Sequence, residues 1–120
     1  MNSTFRENVR KLYHEIISEI PFQVRPKKEF SCPNFQRIEN LFDSTITSGN
    51  TPIDTSISIV RTFLSANLFT VKNSHMSFLL AYLYLRDFRK ENVIASFVFN
   101  ESANSFNENE IRQIVENWFQ

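Results

Sequence analysis

The stretch from Met76 to Leu85, MSFLLAYLYL, constrains the fold more than any other part of the chain. As a helix, it would carry apolar side chains on every face, and such a helix is stable only when other elements surround it. No apolar run in the chain reaches the roughly 18 to 20 residues that a membrane span needs. We therefore predict a buried central helix at about residues 75 to 88, in which four leucines are mostly buried: Leu79, Leu80, Leu83 and Leu85.

Four flanking segments have the periodicity of amphipathic helices that can surround this central helix. Their apolar residues recur every three or four positions in the ranges 5–20, 35–46, 53–64 and 111–118. Asn107 and Glu110 have the spacing of a capping box at the start of the last segment. These segments predict helices on both sides of the central one.

Two further features bear on the fold class. Residues 93–99, VIASFVF, fit either a short strand or a helix, and we favour a helix. Gly49 is the single glycine, which disfavours a sheet rich in tight hairpins. The sequence therefore predicts an all-α fold, in which residues 1–120 form a single domain of five or six helices around the central one.

Charge and composition disfavour several classes of function. The chain has 13 basic and 13 acidic residues, so no electrostatic footprint for nucleic acid or a membrane surface stands out. One glycine cannot build a glycine-rich phosphate loop. Cys32, the single cysteine, has no partner for an internal disulfide, and no cysteine–histidine cluster has zinc spacing. We expect a cytoplasmic protein without a signal peptide, a metal site or a cofactor.

A polar turn, NLFTVKNSH from Asn67 to His75, opens directly into the central helix. This arrangement resembles the Fic/Doc superfamily, specifically the short Doc-type toxins of bacterial and phage toxin–antitoxin modules. Their signature loop, approximately H-x-F-x-D-G/A-N-K-R, leads into a hydrophobic central helix, and NLFTVKNSH aligns with it without gaps. VRKLYHEII, FSCPNFQRIENLFDSTI and ESANSFNENEIRQIVENWF are similar to their first helix, their proline turn with its helix, and their closing helix. The resemblance implies a Fic/Doc-like domain and transfer of a nucleotide or phosphate to a protein hydroxyl.

The loop departs from the family pattern at the positions that carry this chemistry. The resemblance places Asn67 at the catalytic histidine and Val71 at the acidic metal-binding position. Lys72 stands at the small residue beside it, and Ser74 and His75 stand where a lysine and an arginine hold the phosphates. An amide is not a base, and a valine cannot bind Mg²⁺, which prefers oxygen ligands. The loop as aligned predicts a pseudoenzyme with no catalytic residue.

Two loop residues match the family, and two others offer a substitute chemistry. Phe69 matches the phenylalanine that anchors the loop in the core, and Asn73 matches an asparagine whose side chain we expect to cap the central helix. His75 is the one candidate base in the loop, and Lys72 is the one candidate phosphate donor.

Three functional hypotheses follow. The first is a catalytically inactive Doc-like protein that acts by binding a protein partner, either an antitoxin-like helix in a groove between the helices or a host protein. Aromatic residues off the helical stripes are candidates for that groove: Phe22, Phe30, Phe97 and Phe99. The second is an active transferase that uses His75 and Lys72. The third is an unrelated helical adaptor or phage accessory protein.

Overall fold

The computed structural model describes residues 7–13, 32–47, 51–69, 73–96 and 106–119. Within them lie five α-helices: α1 (residues 7–13), α2 (Cys32–Ile46), α3 (Pro52–Ala66), α4 (Asn73–Leu83) and α5 (Glu108–Glu116). A π-helical turn, Tyr84–Phe88, continues α4. In the described ranges the one β contact is an isolated antiparallel bridge between Val93 and Phe119. The prediction of an all-α fold is confirmed.

The α4 helix lies at the centre of the core, as its apolar sequence predicts. It packs most extensively against α3, which in turn contacts α2 and α5. Leu80, Leu83 and Leu85 are fully buried, and Leu79 is 6% exposed, so the predicted burial of the four leucines is confirmed. The π-helical turn extends the helix to Phe88, which agrees with the predicted range of about 75 to 88.

Capping residues set the start of α3 and the start of α5. The Thr51 hydroxyl accepts a hydrogen bond from the Asp54 backbone N–H at 3.2 Å, and Pro52 occupies the first helical position, where its missing N–H costs nothing. In α5, Asn107 and Glu110 form the predicted capping box, with reciprocal bonds of 2.8 and 3.0 Å. Local sequence signals therefore fix where these helices begin.

The π-helical turn places an aromatic group against α2. The backbone N–H of Arg89 donates to the Tyr84 carbonyl at 3.0 Å, which closes a ring one residue wider than an α-helical turn. Phe88 stacks on Tyr84 with ring centroids 6.4 Å apart and lies 5.5 Å from Phe42 of α2. The wider turn thus joins the end of α4 to α2 through aromatic contacts.

The predicted helix at residues 93–99 is wrong for residues 93–96, which the structure shows as extended. The Ile94 N–H donates to the Trp118 carbonyl at 2.9 Å, and the Ser96 carbonyl accepts from the Trp118 indole N–H at 3.4 Å. Val93 is buried and Ile94 is 66% exposed, an alternation of period two. The segment bonds to the chain after α5 instead of to itself, and residues 97–99 lie outside the described residues.

None of the described helices is long and apolar enough to cross a membrane.

The dependence of the fold on α4 can be tested by replacing one buried leucine. Leu80→Ala should lower the free energy of unfolding by about 2–5 kcal/mol, because it removes fully buried methyl groups and leaves a cavity. Ile94→Ala is the matched control, and as a 66%-exposed aliphatic residue it should cost less than about 1 kcal/mol. Urea unfolding measures both variants, and equal losses would contradict the central position of α4.

Candidate functional site

The candidate site begins where α3 ends. Asn67 has left-handed backbone angles, φ 52° and ψ 48°, and its N–H donates to the Phe63 carbonyl at 3.2 Å. Asparagine is one of the few residue types that adopts this conformation readily, and a left-handed residue is a common way to end a helix. Asn67 is exposed and terminates α3. Asn67, which the resemblance aligned with a catalytic histidine, thus has a backbone role in this chain.

Phe69 anchors the loop in the core, as predicted from its position. Its side chain is 4% exposed, and its ring centroid lies 5.2 Å from that of Tyr13 in α1. Tyr13 itself is buried. The contact therefore fixes the loop between α1 and the start of α4.

Asn73 links this buried phenylalanine to α4. Its side-chain carbonyl accepts a hydrogen bond from the Phe69 N–H at 3.0 Å, and its side-chain amide donates to the Phe69 carbonyl. Both main-chain groups of Phe69 are therefore satisfied by one side chain. The main-chain carbonyl of Asn73 in turn accepts a hydrogen bond from the Ser77 hydroxyl at 2.7 Å. We call the pair of hydrogen bonds between Asn73 and Phe69 the loop clamp.

The loop clamp corrects the predicted role of Asn73 as a helix cap. A capping side chain projects from the residue before the first helical turn, and Asn73 is already the first residue of α4. Its described side-chain hydrogen bonds go back to Phe69 instead of to the N–H groups of α4. The asparagine therefore stabilises the loop conformation ahead of the helix.

The structure describes two of the four remaining predicted site residues. Ser74 and His75 lie partly buried in the first turn of α4, and His75 takes part in an interaction there. Val71 and Lys72 lie outside the described residues. The described part of the loop thus brings Phe69 and Asn73 into direct contact and places His75 two residues further along the chain.

A second surface lies between α2 and α3, next to the loop. It consists of two shallow depressions of about 450 and 550 Å³, which share Leu41 and Ala66, and we call it the α2–α3 groove. Arg37 of α2 and Leu68, just beyond α3, line the first depression, and Arg61 of α3 lines the second. Polar side chains complete the lining: Asn40, Ser44, Ser58, Thr62 and Ser65.

Sequence reasoning did not find this groove. The four phenylalanines predicted to line a groove, Phe22, Phe30, Phe97 and Phe99, lie outside the described residues. Leu41 belongs to the apolar stripe of α2 and therefore looks like any core position. The one signal in the sequence was small residues near the end of α3, such as Ser65 and Ala66, which leave space beside the helix.

Two ion pairs between α3 and α5 lie on the surface of the protein. Arg112 lies 3.0 Å from the Asp54 carboxylate, and Arg61 lies 3.6 Å from Glu108. Hydrogen bonds from Arg112 and from Thr51 hold the pKa of the Asp54 carboxyl below its ordinary value. All four side chains are well exposed, so each pair contributes little to stability.

Among the described residues, no group of three or more histidine, cysteine, aspartate or glutamate side chains is arranged to hold a metal ion. Comparisons with protein-family models, with curated proteins and with solved structures find no match to this chain.

The loop clamp can be tested by removing its side chain. Asn73→Ala should lower the free energy of unfolding by about 1–3 kcal/mol, because the partly buried N–H and carbonyl of Phe69 lose their partner. Ser74→Ala, in the next and similarly part-buried position, should cost less than about 1 kcal/mol. Urea unfolding of both variants gives the comparison. An Asn73→Ala protein as stable as the wild type would contradict the role of the clamp.

Proposed function

We propose that this chain is a catalytically inactive Doc-like protein, of bacterial or phage toxin–antitoxin origin, that acts by binding a protein partner. The observation that carries the proposal is the arrangement of three described loop residues, Asn67, Phe69 and Asn73. The residues that match the family's framework, Phe69 and Asn73, form the loop clamp. The residue at its catalytic position, Asn67, ends α3.

The chemistry of the loop supports this proposal. Transfer from a nucleoside triphosphate needs a base for the acceptor hydroxyl, a carboxylate for Mg²⁺ and cations for the phosphates. In the alignment, Asn67 and Val71 replace the base and the carboxylate. Loss of a general base alone typically lowers the rate by about 10² to 10⁴. Loss of several groups together should leave no useful activity.

One observation favours the alternative of an active transferase with a rearranged loop. His75 lies in the first turn of α4 and is partly exposed. The start of a helix offers free N–H groups and a positive dipole end to an anion such as a phosphate. His75 as the base and Lys72 as the phosphate donor would then carry the reaction, so the experiment must test His75 directly.

A transfer assay separates the two hypotheses. The protein is incubated with Mg²⁺, a cell extract and ATP, GTP or UTP labelled at either the α or the γ phosphate, which detects nucleotide and phosphate transfer separately. We expect no acceptor protein to be labelled above a reaction that lacks the chain, because the aligned loop has neither base nor metal ligand. A labelled band that disappears with His75→Ala would overturn the proposal.

A restored loop extends the same assay to the family's chemistry. The variant carries Asn67→His, Val71→Asp, Lys72→Gly, Ser74→Lys and His75→Arg, which together reproduce the family signature. Labelling by this variant but not by the wild type would support the assignment to a Doc-like ancestor. Asn67→Gly is the matched control, since it keeps the left-handed backbone without adding a base.

A further inference from the structure

We propose that the α2–α3 groove binds an amphipathic helix whose apolar face is flanked by carboxylates. This inference rests on the proposed function, because it assigns the protein partner a surface and a chemistry. The groove adjoins the loop directly, since Ala66 and Leu68 line it on either side of Asn67. A ligand there would contact the end of α3 without needing any loop chemistry.

Three apolar residues at one end of the groove form its floor and lie within reach of solvent. Leu41 and Leu68 are partly exposed, and Ala66 is exposed at the last turn of α3. Ala66 has no side chain beyond Cβ, so an approaching chain can come close to the α3 backbone at this point. Burial of apolar surface on such a floor supplies the main driving force for an amphipathic ligand.

The shape of the groove suits a helix of two to three turns. The lining residues of α3 run from Ser58 to Ala66, a span of roughly 12 Å at the 1.5 Å rise per residue of an α-helix. Leu41 and Ala66 are shared by both depressions, so the apolar floor lies at the Ala66 end of this span, and polar side chains line the rest of it. The apolar face of a ligand helix can then pack on Leu41, Ala66 and Leu68, while its polar flanks lie along the rest of the groove.

The charges at the groove select an acidic ligand. Arg37 lines one depression and Arg61 lines the other, and no acidic residue lines either depression in the part of the chain that the structure describes. Arg37 makes no ion pair with a described residue. The described ion pair of Arg61 is a 3.6 Å contact with Glu108, in which both side chains are more than half exposed, so a ligand carboxylate can compete for Arg61. Charge complementarity therefore favours carboxylates on the ligand over ammonium groups.

Two designed peptides test this inference without nucleotide or cell extract. Both are 14-residue helices with the same leucine face, and one carries glutamates on the flanks where the other carries lysines. Titration into ¹⁵N-labelled protein should shift the backbone amide signals of Leu41, Ala66 and Leu68 with the glutamate peptide. The lysine peptide should bind about tenfold more weakly, since two flanking pairs together give a difference of this order.

Substitutions in the groove make the test specific. Ala66→Glu places a carboxylate on the floor and should weaken binding of the glutamate peptide at least about tenfold. Arg37→Glu with Arg61→Glu should reverse the preference between the two peptides. Arg89→Glu, a charge reversal at an exposed residue that lines neither depression, is the matched control and should leave the affinity for both peptides unchanged.

Several outcomes would overturn the inference. One is that the backbone amide signals shift only on other surfaces of the protein. The others are equal affinity for both peptides and unchanged amide signals with either peptide at millimolar concentration. Movement of the same three signals on concentrating the protein alone would show that a second copy covers the groove. None of these outcomes depends on the transfer assay, so failure of the groove and failure of the proposed function are distinguishable.

Discussion

Most of this structure depends on the need to surround α4. Its side chains are apolar on nearly every face, and all residues from Met76 to Leu85 except Tyr82 are buried. A helix of this kind cannot face water along any side without exposing a large apolar area. The amphipathic helix α3 packs directly against α4, and α2 and α5 pack against α3. Phe78 and Tyr82 of α4 also contact the Trp118 ring, which ties the end of the chain to the same core.

The described part of the loop before α4 is held by contacts with this core. Phe69 packs on Tyr13, and Asn73 completes the attachment by bonding both main-chain groups of the phenylalanine. Buried polar main-chain groups need such partners, whatever the loop does chemically. A loop can therefore keep the residues of its framework after losing those of a reaction. We therefore propose that the protein partner binds the adjoining α2–α3 groove and does not need the chemistry of the loop.

Much of the fold could be predicted from the sequence, because its signals are local. The apolar run predicted the burial of Leu80 and Leu83, and the Asn107–Glu110 spacing predicted the start of α5. Residues 93–96 could not be predicted in the same way, because their conformation depends on pairing with Phe119 far along the chain. The partner of the Asn73 side chain and the α2–α3 groove also depend on how separate elements meet, and sequence periodicity does not contain that information.

If the loop between α3 and α4 serves structure and not nucleotide chemistry, as we propose, MgATP should not stabilise the protein. The most direct measurement is the melting temperature of the protein with and without millimolar MgATP. A ligand that binds the native state and not the unfolded chain must raise this temperature by mass action. We expect no change in melting temperature beyond that caused by the same concentration of magnesium sulfate. A clear rise with MgATP that is lost in His75→Ala would contradict it.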